Sequence, residues 1–360
     1  MTQTQKVPTG NTEEPENKTR KRKAKAVTKA QKEKTALSNP AEKSAVRVEI
    51  CLPFLRYKLP VNDRQAILYT AEKSELYTKA LLMEMEDVGS EFVDEGVRAG
   101  SIVFRGGAGL EDPKTLAKLL REARKAVPAA ENCEVSLEAN LGEIDFKRLE
   151  EYRRAGIRRF FIRAYSFSPA TCRRIGCLFD QKQIDELTDA SLRVNKVDLA
   201  LGLYYMTPQE DRQDFRRTME TMEYMKLSEL RLLRYPVKEE KPEETAQRKL
   251  MDTFIRSYMS VLGFEEYQTM AFAKKDKGSR DYLLSSQNAE KVGFGMGAET
   301  CLGGFHSHNL RNFEGYIRYA GDYEKLAQVH VPDDVVRLDD LATPEEVRKL
   351  LEELKESLKQ

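Results

Sequence analysis

Up to residue 44 the chain carries almost no large apolar side chains; from Val46 on, short apolar runs alternate with stretches in which an apolar residue recurs every third or fourth position. Alternation over residues 46–52 predicts a strand, helical periodicity over 68–88 a helix, and Ser101-Ile102-Val103-Phe104 a second strand opening into Gly106-Gly107. This βαβ pattern repeats, with helices over 115–126, 145–155, 183–195 and 213–225 and strands over 134–137, 159–164, 197–204 and 229–233. Gly156 ends the second of these helices, as suits a left-handed C-cap that a Cβ would penalise. Six strands separated by helices imply a parallel sheet, since parallel neighbours need a crossover and a helix supplies it. Periodicity alone leaves open a doubly wound sheet and one curled into a partial barrel.

Beyond residue 234 the alternation weakens. Residues 242–262 read as a long amphipathic helix with Pro242 tolerated at its start, 264–273 as an irregular strand segment and 293–297 as a glycine-rich turn. Thr343-Pro344-Glu345-Glu346 starts a terminal helix that runs to about Leu358, with Thr343 as cap, Pro344 in the first position and Glu346 completing a capping box. Leu350, Leu351, Leu354 and Leu358 then share one apolar face. The expected organisation is a basic, unfolded tail over 1–44, a sheet domain over 45–235, an α/β extension over 236–330 and a linker with helix over 331–360.

Composition narrows the functions. A 40% hydrophobic content supports a substantial core, and 60 basic against 59 acidic residues give the whole molecule no attraction for nucleic acid or membrane. Only the run Lys18-Thr19-Arg20-Lys21-Arg22-Lys23-Ala24-Lys25 is strongly basic, and a solvated linker is its commoner reading, contact with RNA or anionic lipid the rarer one. No stretch approaches the roughly 20 apolar residues of a membrane span and no signal segment is legible. Five cysteines, an odd number, argue against a disulfide framework and for a reducing, cytoplasmic setting.

Several motifs fall in an order that resembles one family. Cys51-Leu52-Pro53-Phe54 is similar to a His-Ile-Pro-Phe turn, Ile102-Val103-Phe104-Arg105-Gly106-Gly107 to a strand and glycine motif, and Leu137-Glu138-Ala139-Asn140-Leu141-Gly142 to Leu-Glu-Ala-Asn-Pro-Gly. Arg154-Ala155-Gly156-Ile157-Arg158-Arg159, Tyr165-Ser166-Phe167, Phe264-Glu265-Glu266-Tyr267 and Gly293-Phe294-Gly295-Met296-Gly297-Ala298 continue the series. From Val46 to about Tyr323 the chain thereby resembles the radical S-adenosylmethionine (SAM) proteins of the oxygen-independent coproporphyrinogen oxidase and haem-chaperone group. The resemblance implies a partial (β/α)6 barrel with a small C-terminal α/β extension. It also implies a SAM pocket whose remnants are Gly106, Gly107, Glu138, Arg105, Arg163, Tyr165 and Tyr205.

The family's chemistry needs atoms that are missing here. Its CxxxCxxC cysteines hold three irons of a [4Fe–4S] cluster, because soft thiolates stabilise iron–sulfur centres; the matching positions are Leu55, Leu59 and Asn62. Cys51, Cys133, Cys172, Cys177 and Cys301 lie elsewhere and read as core or incidental residues. The resemblance also places Arg105 and Arg163 over glycines, Tyr165 over glutamine, Tyr205 over another glycine and Leu201 near a ribose-binding aspartate. Glu138 is retained, and a carboxylate in a cleft needs a counter-charge, so Arg163 or Arg105 is expected to pair with it. Asp145 and Asp198 read as a helix cap and a strand-edge charge. His306 and His308, in Gly303-Gly304-Phe305-His306-Ser307-His308, read first as a turn and second as axial haem ligands, with His330 standing apart. No serine–histidine–acid set, zinc set or phosphate loop is legible.

The expectation is therefore a homologue that has set aside cluster and SAM and works as a tetrapyrrole- or haem-binding or accessory protein, with no confident cofactor and no assigned catalytic or metal-binding residue. The alternatives are a SAM-dependent oxidoreductase of porphyrin metabolism with non-standard cluster ligation, and a regulatory subunit with a filled pocket. A protein partner would be met by the basic tail or the terminal helix.

Overall fold

The computed structural model describes residues 45–56, 67–94, 96–177, 180–210, 212–236 and 242–329. Strand β1 (Val46–Leu52) is followed by β2 (Phe54–Leu55), β3 (Ile67–Leu68), α1 (Ala71–Asp94), β4 (Ala99–Gly106), α2 (Pro113–Ala126), β5 (Ala129–Asn140), α3 (Phe146–Arg154) and β6 (Arg159–Tyr165). Then come α4 (Pro169–Ile175), α5 (Gln181–Arg193), β7 (Asp198–Tyr205), α6 (Arg212–Glu223), β8 (Glu229–Arg234) and α7 (Pro242–Val261). The remaining elements are β9 (Glu265–Gln268), β10 (Ala271–Ala273), α8 (Arg280–Ser286), β11 (Lys291–Phe294), β12 (Glu299–Leu302), β13 (Phe305–Asn309), α9 (Phe313–Tyr319), α10 (Tyr323–Leu326) and β14 (Ala327–Val329).

Local chemistry accounts for these boundaries. Asp112 caps α2 ahead of Pro113, Asp145 caps α3, and Asp180 with Gln183 forms a capping box on α5. Asp145 is thus the cap its position suggested, while Asp198 bonds Ser228 at 2.9 Å and Lys277 at 2.9 Å. Gly176 closes α4 in the left-handed region (φ 74°).

Strand order is β14-β13-β12-β11-β1-β4-β5-β6-β7-β8-β10-β9. The run β11-β1-β4-β5-β6-β7-β8 is parallel throughout, and antiparallel strands flank it on both sides. The order is linear, so the sheet does not close, yet it curls. Arg47 of β1 bonds Asp281 and Arg231 of β8 packs on Tyr282, two consecutive residues of α8. In a flat sheet β1 and β8 would lie about 24 Å apart. The convex face packs its apolar residues, Ile50, Phe104, Leu137, Phe160 and Leu201 among them, into one continuous core under the helices. The concave face carries the charged ones.

Two short helices absent from the sequence pattern, α4 and α8, shape this interior. Each has only seven residues, too few for periodicity to show. Both are announced by a serine cap, Ser168 and Ser279.

Candidate functional site at the concave face

Alternation along each strand decides which residues meet in the interior. Arg47 and Glu49 come from β1, Ser101 and Arg105 from β4, Glu134 and Glu138 from β5, Arg159 and Arg163 from β6, Glu229 and Arg231 from β8. They form two ion-paired clusters joined at α8, where the Asp281 amide donates to Glu134 at 3.2 Å. Arg163 donates through Nη2 to Glu138 Oε2, and Arg105 Nη1 lies 3.4 Å from Glu138 Oε1. Both arginines foreseen as partners of Glu138 therefore hold it. Arg105 Nη2 also reaches Asp281 Oδ2 at 3.2 Å and Glu49 Oε1 at 3.4 Å. Arg47 spans Glu49 at 2.7 Å and Asp281 at 3.1 Å, and the Ser101 hydroxyl donates to Asp281 at 2.9 Å.

Deeper, at the N-terminal ends of the strands, Arg159 pairs with Glu134 at 2.9 Å and Glu229 at 2.8 Å. Glu229 also accepts from Arg231 at 2.5 Å and the Tyr267 hydroxyl at 2.6 Å, while the Arg231 guanidinium lies between the rings of Phe161 and Tyr282. Glu134 accepts from Ser279 Oγ and the Arg280 amide, fixing the start of α8 under this end. Arg47, Arg105, Arg159, Arg163 and Arg231 face Glu49, Glu134, Glu138, Glu229 and Asp281, so these charges balance.

Electrostatics follow from the geometry. Burial alone would raise the pKa of Glu138, but Arg163, Arg105 and Arg231 outweigh it and hold the carboxyl below its usual range. Burial likewise works against ionised Asp281, and Arg105 and Arg47 overcome it to lower that pKa. Burial opposes the Arg105 charge too, and Glu138, Glu49 and Asp281 reverse the effect. Glu138 and Asp281 are thus ionised near neutrality.

Arg105 and Arg163 remain about one-third exposed (31% and 33%) and form the outer layer of the network. Beside Arg163, the rings of Tyr165 and Tyr204 stack at 5.3 Å, and Tyr204 meets Tyr235 edge to face. Tyr165, at φ 60°, approaches Asn140 Oδ1 at 3.4 Å.

Not every residue named from the sequence joins this site. Tyr205 follows Tyr204 by one position and so points to the opposite face, where it is buried in the main core; the residue that faces Tyr165 is Tyr204. Leu201 is also a core residue beneath the helices. Gly106 and Gly107 are explained by packing: a Cβ at either would lie 2.2 Å from a backbone oxygen, of Leu52 and Phe54 respectively. The Gly107 amide donates to Leu52 O at 2.7 Å. His306 and His308 lie on β13, in the antiparallel strands beyond β11, where His306 Nδ1 is 3.1 Å from Cys301 Sγ. His330, Leu59, Asn62, the basic tail and the terminal helix lie outside the described residues. Sequence reasoning missed Asp281, Glu49 and Arg47: Arg47 and Glu49 are neighbours on β1, but their shared partners Asp281 and Arg105 come from remote elements.

The residues present do not fit a thiolate-held cluster. Leu55 is a hydrocarbon side chain on β2, paired with Leu68 of β3. Burial, with Glu49 adding to it, pushes the Cys51 thiol up to about 12, so it stays protonated. Cys172 and Cys177 are buried against Tyr165 and Ile175, and burial pushes them to about 11 and about 12. Among the described residues no group of three or more histidine, cysteine or acidic side chains is arranged to hold a metal. The glycine-rich turn after β11 has a packing role as well: Glu84 accepts from the Gly295 amide at 2.9 Å, and the Tyr77 hydroxyl accepts from Met296 at 2.7 Å while donating to Cys51 O at 2.8 Å.

The curled, open parallel sheet with its polar interior is the fold of a solved radical SAM enzyme. It superposes on a solved coproporphyrinogen III oxidase (HemN) from Escherichia coli with a TM-score of 0.64, over 78% of this chain and 70% of that one, at 16% identity. In sequence the chain is similar to proteins named as heme chaperones and, over a shorter stretch, to one named as an oxygen-independent coproporphyrinogen III oxidase. It is 26% identical over 301 residues to the heme chaperone HemW of Haemophilus influenzae, covering 76% of each chain. It is 27% identical over 230 residues to the heme chaperone HemW of Escherichia coli, covering 59% of each. No family model matches the chain. Among the described residues no helix is long and apolar enough to cross a membrane.

Proposed function

We propose that this protein works in haem or porphyrin handling without cluster and SAM chemistry, as a tetrapyrrole-binding or accessory protein of the cytoplasm. The observation that carries the reading is the double hold of Arg105 and Arg163 on Glu138. Two guanidinium groups occupy the strand ends at which the resemblance puts a SAM contact, and the chain has no cysteine at Leu55, Leu59 or Asn62. The tetrapyrrole part rests on the curated relatives named as heme chaperones and on the mouth itself. Arg163 uses one nitrogen on Glu138 and keeps further N–H donors for a propionate, and the Tyr204 and Tyr235 rings beside it offer apolar faces to a planar ligand.

Two measurements on the full chain test this. Anaerobic reconstitution with iron and sulfide, followed by calorimetry with SAM, should give neither a stoichiometric [4Fe–4S] chromophore nor saturable heat; a cluster with SAM cleavage would establish the SAM-dependent oxidoreductase instead. Titration with haem and with metal-free porphyrin under reducing conditions should give a saturable Soret shift that Arg163→Ala weakens. A flat titration removes the tetrapyrrole reading. The charge balance of the interior then favours a second one, a regulatory or interaction subunit, for which co-purification should depend on residues 1–44 or 331–360.

A further inference from the structure

The outer surface carries a groove of about 600 Å³ between α1 and α2. Leu82, Met85, Gly89 and Ala126 line it, and Val93 stands at one end, 45% exposed. The two helices touch at Gly89, where a Cβ would lie 2.9 Å from Ala126 Cα, so the groove is floored by small residues. Its borders differ in charge. Glu86 stands on the α1 side; Lys118 and Lys125 stand on the α2 side, with Glu122 pairing to Lys125 at 2.8 Å.

Shortly before its described end the chain touches α1, the helix on one side of this groove. The Tyr323 amide donates to Asp87 of α1 at 2.9 Å, and a Cβ on Gly321 would touch Met83 of α1. Strand β14 then runs antiparallel to β13 and ends at Val329, opposite Ser307. Residues 330–342 lie between that point and Thr343. Extended, they reach about 40 Å, ample to cross one helix.

The amino-acid sequence from Thr343 onward matches the groove in length, polarity and charge. Val347, Leu350, Leu351, Leu354 and Leu358 fall on one face of a helix, and Val347 to Leu358 has the same eleven-residue spacing as Leu82 to Val93, about 16 Å of helix. On a helical wheel Glu346 and Glu353 border one edge of this face and Arg348 and Lys355 the other. Lys118 and Lys125 are also seven residues apart. We infer that residues 343–358 fold back as a helix into the α1–α2 groove of the same chain, their glutamate edge along Lys118 and Lys125 and their basic edge along Glu86.

Hydrogen exchange on the full chain tests this. Amides of 347–358 should exchange roughly tenfold or more slowly than in the isolated peptide, as expected for a docked element with a local opening equilibrium. Val93→Asp, a change at an exposed site, should abolish that protection, as should Leu351→Asp with Leu354→Asp. Lys118→Glu with Lys125→Glu should lower protection, and adding Glu346→Lys with Glu353→Lys should restore it. The inference is overturned if the segment is unprotected, if Val93→Asp leaves protection unchanged, or if protection falls on dilution, which would make the occupant a second copy.

Discussion

Glu84 has three neutral donors and a fully buried carboxyl: the Gly295 amide, Asn309 Nδ2 at 2.6 Å and the Tyr316 hydroxyl at 2.6 Å. Burial pushes its pKa up to about 7 against these hydrogen bonds. The native state therefore keeps a proton that the unfolded chain releases near 4.5. This group's share of stability is fully present below pH 4.5 and declines by roughly 3 kcal/mol as pH rises to about 7. Glu84→Gln, which keeps an acceptor, should flatten that part of the profile in urea titrations from pH 4.5 to 8; an unchanged slope would assign the pH dependence elsewhere. Glu138 has the opposite sign. Its lowered pKa contributes stability above the unfolded carboxylate range that is lost as pH falls through the folded value. Glu138→Gln should cost about 1–3 kcal/mol at pH 7, tempered because both arginines keep solvent contact, and should make the protein less acid-sensitive. Arg163→Ala should cost less, since Arg105 still pairs with Glu138.

At the scale of elements, the turn that ends β4 is fixed by contact with the turn that ends β1. Gly106 has φ 80° and lies opposite Leu52 in the register. Gly106→Ala and Gly107→Ala should each lower stability by about 3 kcal/mol, through backbone overlap at both positions and a left-handed φ at the first, read as a drop in the urea midpoint. A motif that resembles a cofactor loop thus has a packing reason for its glycines. The repeated strand–helix pattern was legible from Val46 to residue 233 because each amphipathic stretch is long enough to show its period. β5 runs well beyond the predicted 134–137, since its outer half lacks the apolar alternation. Local signals for those helices were confined to their ends: the serine caps of both, with Pro169 and Gly176 bounding α4.

For the whole molecule, α8 ties the curled sheet together. Asp281 links β1 through Arg47 and β4 through Ser101 and Arg105, and its neighbour Tyr282 meets Arg231 of β8. Asp281→Ala removes one of the two counter-ions that Arg47 and Arg105 share, leaving Glu49, and takes the acceptor from Ser101 at a side chain only 7% exposed; it should cost about 3 kcal/mol, more than Glu138→Gln. Equal urea midpoints for the two variants would show that α8 does not hold the curvature. The sequence by itself determined the parallel strand–helix order, the absence of the three cluster cysteines and the need of Glu138 for an arginine, because these depend on local period, residue identity and charge. Tertiary structure alone decided that both Arg105 and Arg163 answer that need, that Asp281 from a remote seven-residue helix completes the network, and that Tyr204 rather than Tyr205 faces Tyr165. The physical reason is that a strand alternates its side chains with period two, so a one-residue uncertainty in register exchanges interior for core, and ion pairs between strands depend on curvature that no local pattern encodes.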